Sequence, residues 1–177
     1  DYNLPCAVTT KVERREWDSK CGDAVRVEYD AFVEEGCWYY STVINKEDLI
    51  ASARKSGRTI HTGDLLLLCS IKHHELDSSK WKHKGRVCFR GDNVRDQDGN
   101  YAIFQELSAS PTAIHSANCN LAYGCMPGNK TTQADAIRAY IQAWLNSKCE
   151  TWVQIPKEFW PKHWHGKFKD PVCPLRL

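Results

Sequence analysis

The segment that decides the fold is residues 65–91, LLLLCSIKHHELDSSKWKHKGRVCFRG. Residues 65–74 are mostly apolar over the length of a buried strand, and residues 81–91 alternate between cationic and apolar side chains. The polar residues 75–80 between them are typical of a turn. Two strands joined by a short turn predict an antiparallel β-hairpin whose second strand has one cationic and one apolar face.

Further strands and helices are expected on either side of this hairpin. Apolar residues recur at helical spacing over residues 12–33, and Gly36 ends that helix. Asn45 followed by Asp48 resembles a capping box that begins a second helix, which Gly57 ends. Short strands are predicted over residues 37–43, 131–136 and 151–155, and helices over residues 110–125 and 138–147. This mixture of strands and helices predicts an α+β fold.

The composition is that of a globular protein without a membrane span. Hydrophobic residues make up 42% and charged residues 26% of the 177 residues. The longest apolar run, residues 65–69, is far shorter than the ~20 residues that cross a bilayer, so we expect no membrane partner. The net charge of +2 does not by itself indicate a nucleic-acid partner, and the local distribution of charge matters more.

The nine cysteines lie mostly inside apolar segments, for example Cys69 after four leucines. This placement favours reduced thiols used as small core residues, and therefore an intracellular, reducing compartment. No CxxC pair occurs, so a structural zinc site is not expected. His115, Cys119 and Cys125 share one predicted helix, where packing explains them better than a thiol nucleophile does. A cysteine-rich interaction domain is an alternative of a different class.

The second strand of the predicted hairpin concentrates positive charge. Side chains at alternating positions of a strand share a face. One face is therefore expected to carry Lys82, Lys84, Arg86, Cys88 and Arg90, and the other Trp81, His83, Val87 and Phe89. Four cations on one face suit the binding of phosphates. A solvated strand face has the same pattern, and the sequence alone leaves both interpretations open.

Asp135 and Tyr140 are the second candidate pair. Asp135 is predicted near the end of the strand over residues 131–136, just before a helix, where a carboxylate can bind Mg²⁺. Tyr140, on the first turn of that helix, would project towards the same site, where its ring could pack under a nucleotide sugar. On pattern alone, Asp135 is one acid among many and Tyr140 is equally a core aromatic residue.

These segments, in this order, resemble the reverse transcriptase of copia-type retrotransposon polyproteins. The family's fingers strand, Lys-Ala-Arg-Leu-Val-Ala-Arg-Gly, is similar to residues 84–91, which keep the lysine, both arginines and the final glycine. Its first carboxylate motif, Gln-x-Asp-Val-Lys-Thr-Ala-Phe, is similar to residues 133–140, which keep Gln133, Asp135, Ala139 and an aromatic residue. Residues 152–159 and 172–175 resemble the next two segments of the family.

The resemblance implies a site at the first carboxylate motif. Asp135 would be catalytic and would bind Mg²⁺, for which Mn²⁺ is an alternative, together with the backbone carbonyl of Ala136. Tyr140 would sense the 2′ position of the incoming sugar. Because polymerases use several converging carboxylates to hold two metal ions, Asp135 would be one half of a larger site.

The resemblance also assigns roles to the hairpin. Lys84 and Arg86 would reach the triphosphate of the incoming deoxynucleotide. Arg90 would contact nucleic acid or only support the hairpin. Lys82 precedes the matched motif and is a nucleic-acid-binding candidate through its place on the cationic strand face. The implied partners are an RNA template, a DNA primer, a deoxynucleoside triphosphate and the rest of the Pol polyprotein, in the cytoplasm, in virus-like particles or in the nucleus.

The implied architecture is the fingers and part of the palm of a polymerase, with an incomplete antiparallel sheet and helices. Its expected parts are a helical lead-in over residues 1–64, the fingers hairpin with a connecting helix over residues 65–128, and the first part of the palm over residues 129–177.

The departures from the family define the competing hypothesis. Ile137 and Arg138 replace the family's lysine and threonine, and no Asp-Asp pair occurs, so the Tyr-x-Asp-Asp motif is absent. The leading hypothesis is therefore a fragment of an RNA-directed DNA polymerase, inactive alone. The alternative is a decayed or repurposed element that binds nucleic acid without catalysis.

Overall fold

The computed structural model describes residues 8–102, 112–132, 134–135, 138–142, 144–145 and 147–176. The chain divides into two compact units. The larger unit comprises Asp1–Ala102 with Ile141–Leu177, and the smaller comprises Ile103–Tyr140. The expected three-part division of the chain stays a prediction.

The larger unit is built around a mostly antiparallel sheet. Its strands are β1 (Thr9–Val12), β2 (Ile44–Asn45), β3 (Ile60–Lys72), β4 (Lys82–Phe89), β5 (Glu150–Gln154) and β6 (Pro171–Pro174), and its helices are α1 (Ser19–Glu34) and α2 (Lys46–Ser56). The strand order is β1-β3-β5-β6-β2, with β4 also paired to β3, and only β3 and β5 run parallel. In the smaller unit the described residues form α3 (Ile114–Gly124). The predicted α+β class is confirmed.

The predicted hairpin is confirmed. Strands β3 and β4 pair antiparallel from Leu65 opposite Phe89 to Lys72 opposite Lys82. Strand β1 pairs with the last four residues of β3, from Cys69 to Lys72. Because β4 already pairs with those residues, β1 must occupy the other edge of β3. The result is a three-stranded antiparallel sheet with β3 in the middle.

Helix α1 covers the apolar side of this sheet. The helix buries Cys21, Val25 and Tyr29 in a core shared with both strands of the hairpin. It begins later than the predicted residue 12, because Asp18 caps it by accepting a hydrogen bond from the backbone N–H of Cys21. The chain then turns at Gly36, whose φ of 77° favours glycine, as predicted.

Helix α2 ends as predicted but begins differently. Gly57 ends it in the left-handed region, with φ 64°. Asn45 precedes its first residue, yet its side chain makes no capping hydrogen bond to the helix. Its Oδ1 instead accepts the backbone N–H of Lys169, next to the strand β6 that pairs with β2. The capping-box interpretation was therefore wrong, because a long-range partner takes the asparagine oxygen.

The strand predicted over residues 37–43 was wrong. Tyr40–Thr42 form a 3-10 turn, and the strand that follows is limited to Ile44–Asn45. The aromatic composition that favoured a strand fills the core instead: Trp38 is buried, and the hydroxyl of Tyr40 lies 2.8 Å from that of Tyr29. The strand predicted over residues 151–155 is confirmed as β5.

The helix predicted over residues 110–125 is confirmed as α3, which begins at Ile114. Its predicted start at residues 110–111 lies outside the described residues. None of the helices in the described ranges combines the length and the apolar composition needed to cross a bilayer.

Candidate nucleic-acid interface

The solvent side of the three-stranded sheet carries rows of cations, which we call the basic face: Lys11, Lys72, Lys82, Lys84 and Arg86. Residues paired across strands share a face, so the register defines the rows. One row holds Thr9, Lys72 and Lys82, and the next holds Lys11, Ser70 and Lys84. Arg86 follows opposite Leu68. All five cations are exposed, so the predicted cationic face of β4 is present and extends over two more strands.

Most of this positive charge has no internal counter-charge. Within the described ranges, Lys72, Lys82, Lys84 and Arg86 form no ion pair with a carboxylate. Lys11 has Glu13 at 3.7 Å, in an exposed contact of little energetic weight. A set of cations held on a rigid sheet without counter-ions is suited to attract an anionic partner.

Lys72 and Lys82 lie directly opposite each other in the ladder. Like charges placed opposite each other in neighbouring strands destabilise the pair. An anion bound between the two ammonium groups would offset that repulsion, because each lysine offers three donors and no acceptor. An anion is therefore expected to be stabilised at this pair of lysines.

The sheet is held rigid from behind. Val87 and Gly85 of β4 are buried, with helix α1 packed against them. Gly85 meets the helix backbone at Ala24 and Val25, so closely that an added Cβ would lie 2.6 Å from the Cα of Val25. This close packing fixes the spacing of the cations on the other side of the strand.

Arg90 differs from the other cations of the strand. Its Nε and Nη2 donate to the carboxylate of Asp92 at 3.3 and 3.0 Å, and its Nη1 lies 3.5 Å from Asp64. Its backbone N–H also donates to the carbonyl oxygen of Asp64. The hydrogen bonds to Asp92, with its negative charge, raise the pKa of the Arg90 guanidinium. Arg90 is thus neutralised within the protein and ties the end of β4 to β3, whereas Lys84 and Arg86 remain available.

The predicted site around Asp135 and Tyr140 does not have the predicted secondary structure. Asp135 is exposed and belongs to the smaller unit. The strand predicted over residues 131–136 was wrong for its described members, which are exposed and lack strand pairing: Thr131, Thr132, Ala134 and Asp135. An isolated segment of this polarity has no buried face to hold it in a sheet. Ala136 lies outside the described residues.

The helix predicted over residues 138–147 was also wrong over its described part. Arg138 has φ 51°, which an α-helix does not accommodate, and only a 3-10 turn follows at Ala139–Ile141. The backbone of Tyr140 lies in this turn, and its side chain lies outside the described part of the structure. Asp135 and Tyr140 are therefore not placed on the predicted strand–helix junction.

Among the described side chains, Asp135 is not part of a metal-ligand cluster, that is, of a group of three or more potential metal ligands that lie close together. The acidic residues of the smaller unit are Glu106, which lies outside the described residues, and Asp135. One exposed carboxylate does not make a two-metal site, which needs several converging oxygen ligands.

Sequence reasoning missed two cations of the basic face, Lys11 and Lys72. Lys72 ends the apolar run, and Lys11 lies 59 residues before Ser70, its partner in the ladder. Only the register of β1 and β3 places them beside Lys82 and Lys84. The alternation of residues 81–91 did carry the signal for the rest of the face.

Comparison with known proteins adds no relative. No model of a protein family, no characterised protein and no solved structure matches this chain. The resemblance to copia-type reverse transcriptases therefore rests on the ordered motifs alone.

Proposed function

We propose that this chain is the fingers and first palm segment of an RNA-directed DNA polymerase, with the basic face as its phosphate-binding surface. The observation that carries the proposal is a set of exposed cations on β3 and β4 that form no ion pair with any described carboxylate: Lys72, Lys82, Lys84 and Arg86. A reverse transcriptase uses its fingers hairpin for the same purpose, and residues 84–91 are the ones that resemble that hairpin.

In this proposal different cations of the hairpin bind different phosphate groups. Lys84 and Arg86, in the middle of β4, bind the triphosphate of the incoming deoxynucleotide, and arginine suits it because its planar fork makes paired hydrogen bonds to phosphate. Lys82 and Lys72, in the row nearest the turn, bind the backbone of the RNA template or DNA primer. Arg90, already paired to Asp92, holds the hairpin end in place.

Nucleotidyl transfer belongs to the longer protein in this proposal. Asp135, with the carbonyl of Ala136, would share Mg²⁺ with carboxylates from the rest of the Pol polyprotein, and Tyr140 would lie against the sugar. The 177-residue chain alone is expected to bind template–primer and to synthesise no DNA.

A second candidate function is nucleic-acid binding without catalysis, in a decayed or repurposed element. The observation that favours it is that Asp135 belongs to no described group of three or more close potential metal ligands. This candidate keeps the basic face and makes no use of Asp135.

Primer extension separates the two candidates. The intact open reading frame is expressed, and DNA synthesis on an RNA template is compared for the unmodified protein, Asp135→Asn and the control Asp23→Asn, an exposed aspartate on α1. The polymerase proposal expects synthesis that falls to background in Asp135→Asn and is retained in the control. Unchanged synthesis by Asp135→Asn would remove the assignment of Asp135. Template binding without synthesis in all three proteins would establish the second candidate.

A further inference from the structure

Three side chains of different metal-binding types meet behind the basic face, where α1 begins. The carboxylate of Asp18, the thiol of Cys21 and a ring nitrogen of His83 all lie within 4.8 Å of one another. Asp18 and Cys21 are placed by the first turn of α1, and His83 by the apolar side of β4. Cys21 is buried and the side chain of His83 is 13% exposed, so two of the three groups are held by the core.

The two oxygens of Asp18 have separate environments. Its Oδ1 accepts the backbone N–H of Cys21 at 2.8 Å and so caps the helix. Its Oδ2 lies 4.0 Å from Nε2 of His83, which is too long for a hydrogen bond. The capping bond fixes the carboxylate, and Oδ2 lies beside the imidazole of His83, where a cation could bind both.

We propose that Asp18, Cys21 and His83 bind a zinc ion. Zinc takes thiolate, imidazole and carboxylate ligands at about 2.3, 2.0 and 2.1 Å, so neighbouring ligand atoms of a tetrahedral site lie roughly 3.4–3.6 Å apart. The 4.0 Å between Oδ2 and Nε2 exceeds that spacing by about half an ångström, within reach of a side-chain rotation. Sulfur and nitrogen ligands select zinc over magnesium, which prefers oxygen.

The fourth position of this zinc faces solvent. The three ligands line a cavity of about 470 Å³, together with residues of β1 and of the hairpin turn such as Val12 and Ser79. A water molecule in that cavity completes the tetrahedron. The site is thus open, with three protein ligands and one exchangeable position.

Cys69 of β3 supports the site from the buried side. It lies buried in the same core cluster as Cys21. The bound metal would join the start of α1 to β4 and so brace the strand that carries the basic face.

The site is tested by metal titration of the full chain under reducing conditions, with Zn²⁺ in competition with a chromogenic chelator and with Co²⁺ as the spectroscopic probe. One equivalent of Co²⁺ should produce a thiolate-to-cobalt charge-transfer band in the near ultraviolet. Cys21→Ser should abolish that band. The exposed Cys88→Ser on the opposite face of β4 should leave it intact.

Asp18→Asn is the variant least able to disturb the fold, because asparagine is an equally good helix cap and the position is exposed. Asp18→Asn and His83→Gln should each weaken Zn²⁺ binding by more than the roughly 10–100-fold that is typical when a residue that only hydrogen-bonds to a ligand is lost. Cys69→Ala should keep the charge-transfer band at full intensity.

Three results would overturn the proposal. They are a band that survives Cys21→Ser, Zn²⁺ affinity that is unchanged in Asp18→Asn, and a band of halved intensity in Cys69→Ala, which would make Cys69 a ligand. Circular dichroism of each variant confirms that a lost signal reflects a lost ligand and not a lost fold.

Discussion

The contact between α1 and β4 makes one substitution especially informative, Gly85→Ala. A Cβ on Gly85 would lie 2.5 Å from the carbonyl carbon of Ala24 and 2.6 Å from the Cα of Val25. Both neighbours are backbone atoms of a helix, so no side chain can rotate away. The copia-type motif has alanine at this position, and α1 in this chain leaves no room for it.

The cost follows from the distances. Carbon atoms in contact are normally about 3.5–4.0 Å apart, so α1 must move away from β4 by about 1 Å. Such overpacking typically costs about 1–3 kcal/mol. Because the displaced element is a whole helix that covers the core of the sheet, we expect a loss near the upper end, about 3 kcal/mol in the free energy of unfolding.

Gly22 provides the matched control, since it lies on α1 with no heavy atom within 4 Å of an added Cβ. Gly22→Ala should stabilise the chain by about 0.5–1 kcal/mol, because alanine is the better helix former. Urea denaturation followed by circular dichroism measures both variants. The close contact of α1 with β4 would be refuted if Gly85→Ala unfolded at the same urea concentration as the unmodified protein.

Three further predictions concern the stability of the fold. Tyr40→Phe leaves the buried hydroxyl of Tyr29 without its hydrogen-bond partner at 2.8 Å and should lower the free energy of unfolding by about 1–3 kcal/mol. Urea denaturation measures this loss, and a loss near zero would contradict the prediction. Gly57→Ala should lower the free energy of unfolding by about 1–2 kcal/mol, because alanine is strained at the left-handed φ of 64°. Unchanged stability would show that α2 does not end with a left-handed residue at this position. Burial raises the pKa of Cys173 to about 12 from an ordinary 9.0. The unfolded chain therefore loses this proton first, and the stability that is complete below pH 9 is lost as the pH rises towards 12. Cys173→Ala should remove about 1.4 kcal/mol per pH unit from the slope of stability above pH 9, and an unchanged slope would contradict the assignment.

Local patterns with a single physical cause predicted the fold best. The alternation in residues 81–91 predicted both the strand and its cationic face, because one side of the strand is buried and the other is exposed to solvent. Gly36 and Gly57 predicted two chain reversals, because only glycine adopts a positive φ at little cost.

Such local patterns do not predict which distant segments of the chain pair or pack together. Residues 37–43 have strand composition, but Trp38 and Tyr40 pack in the core around Tyr29. The described residues of the strand predicted over residues 131–136 have no described partner strand. Asp18 and His83 are separated by 65 positions, so no spacing rule for metal ligands would bring them together. The rows of the basic face became visible only with the register of β1 and β3.

The salt dependence of hybrid binding tests the central claim, that the basic face binds nucleic-acid phosphates. The 177-residue chain is titrated with an RNA–DNA hybrid at several salt concentrations, and the variant Lys72→Gln/Lys82→Gln is compared with a control that removes two exposed lysines elsewhere, Lys55→Gln/Lys162→Gln. Each phosphate contact contributes about −0.9 to the slope of log K against log salt for a duplex. We expect the variant without Lys72 and Lys82 to lose roughly 2 units of slope and the control almost none. Equal slopes for the two variants would contradict the account.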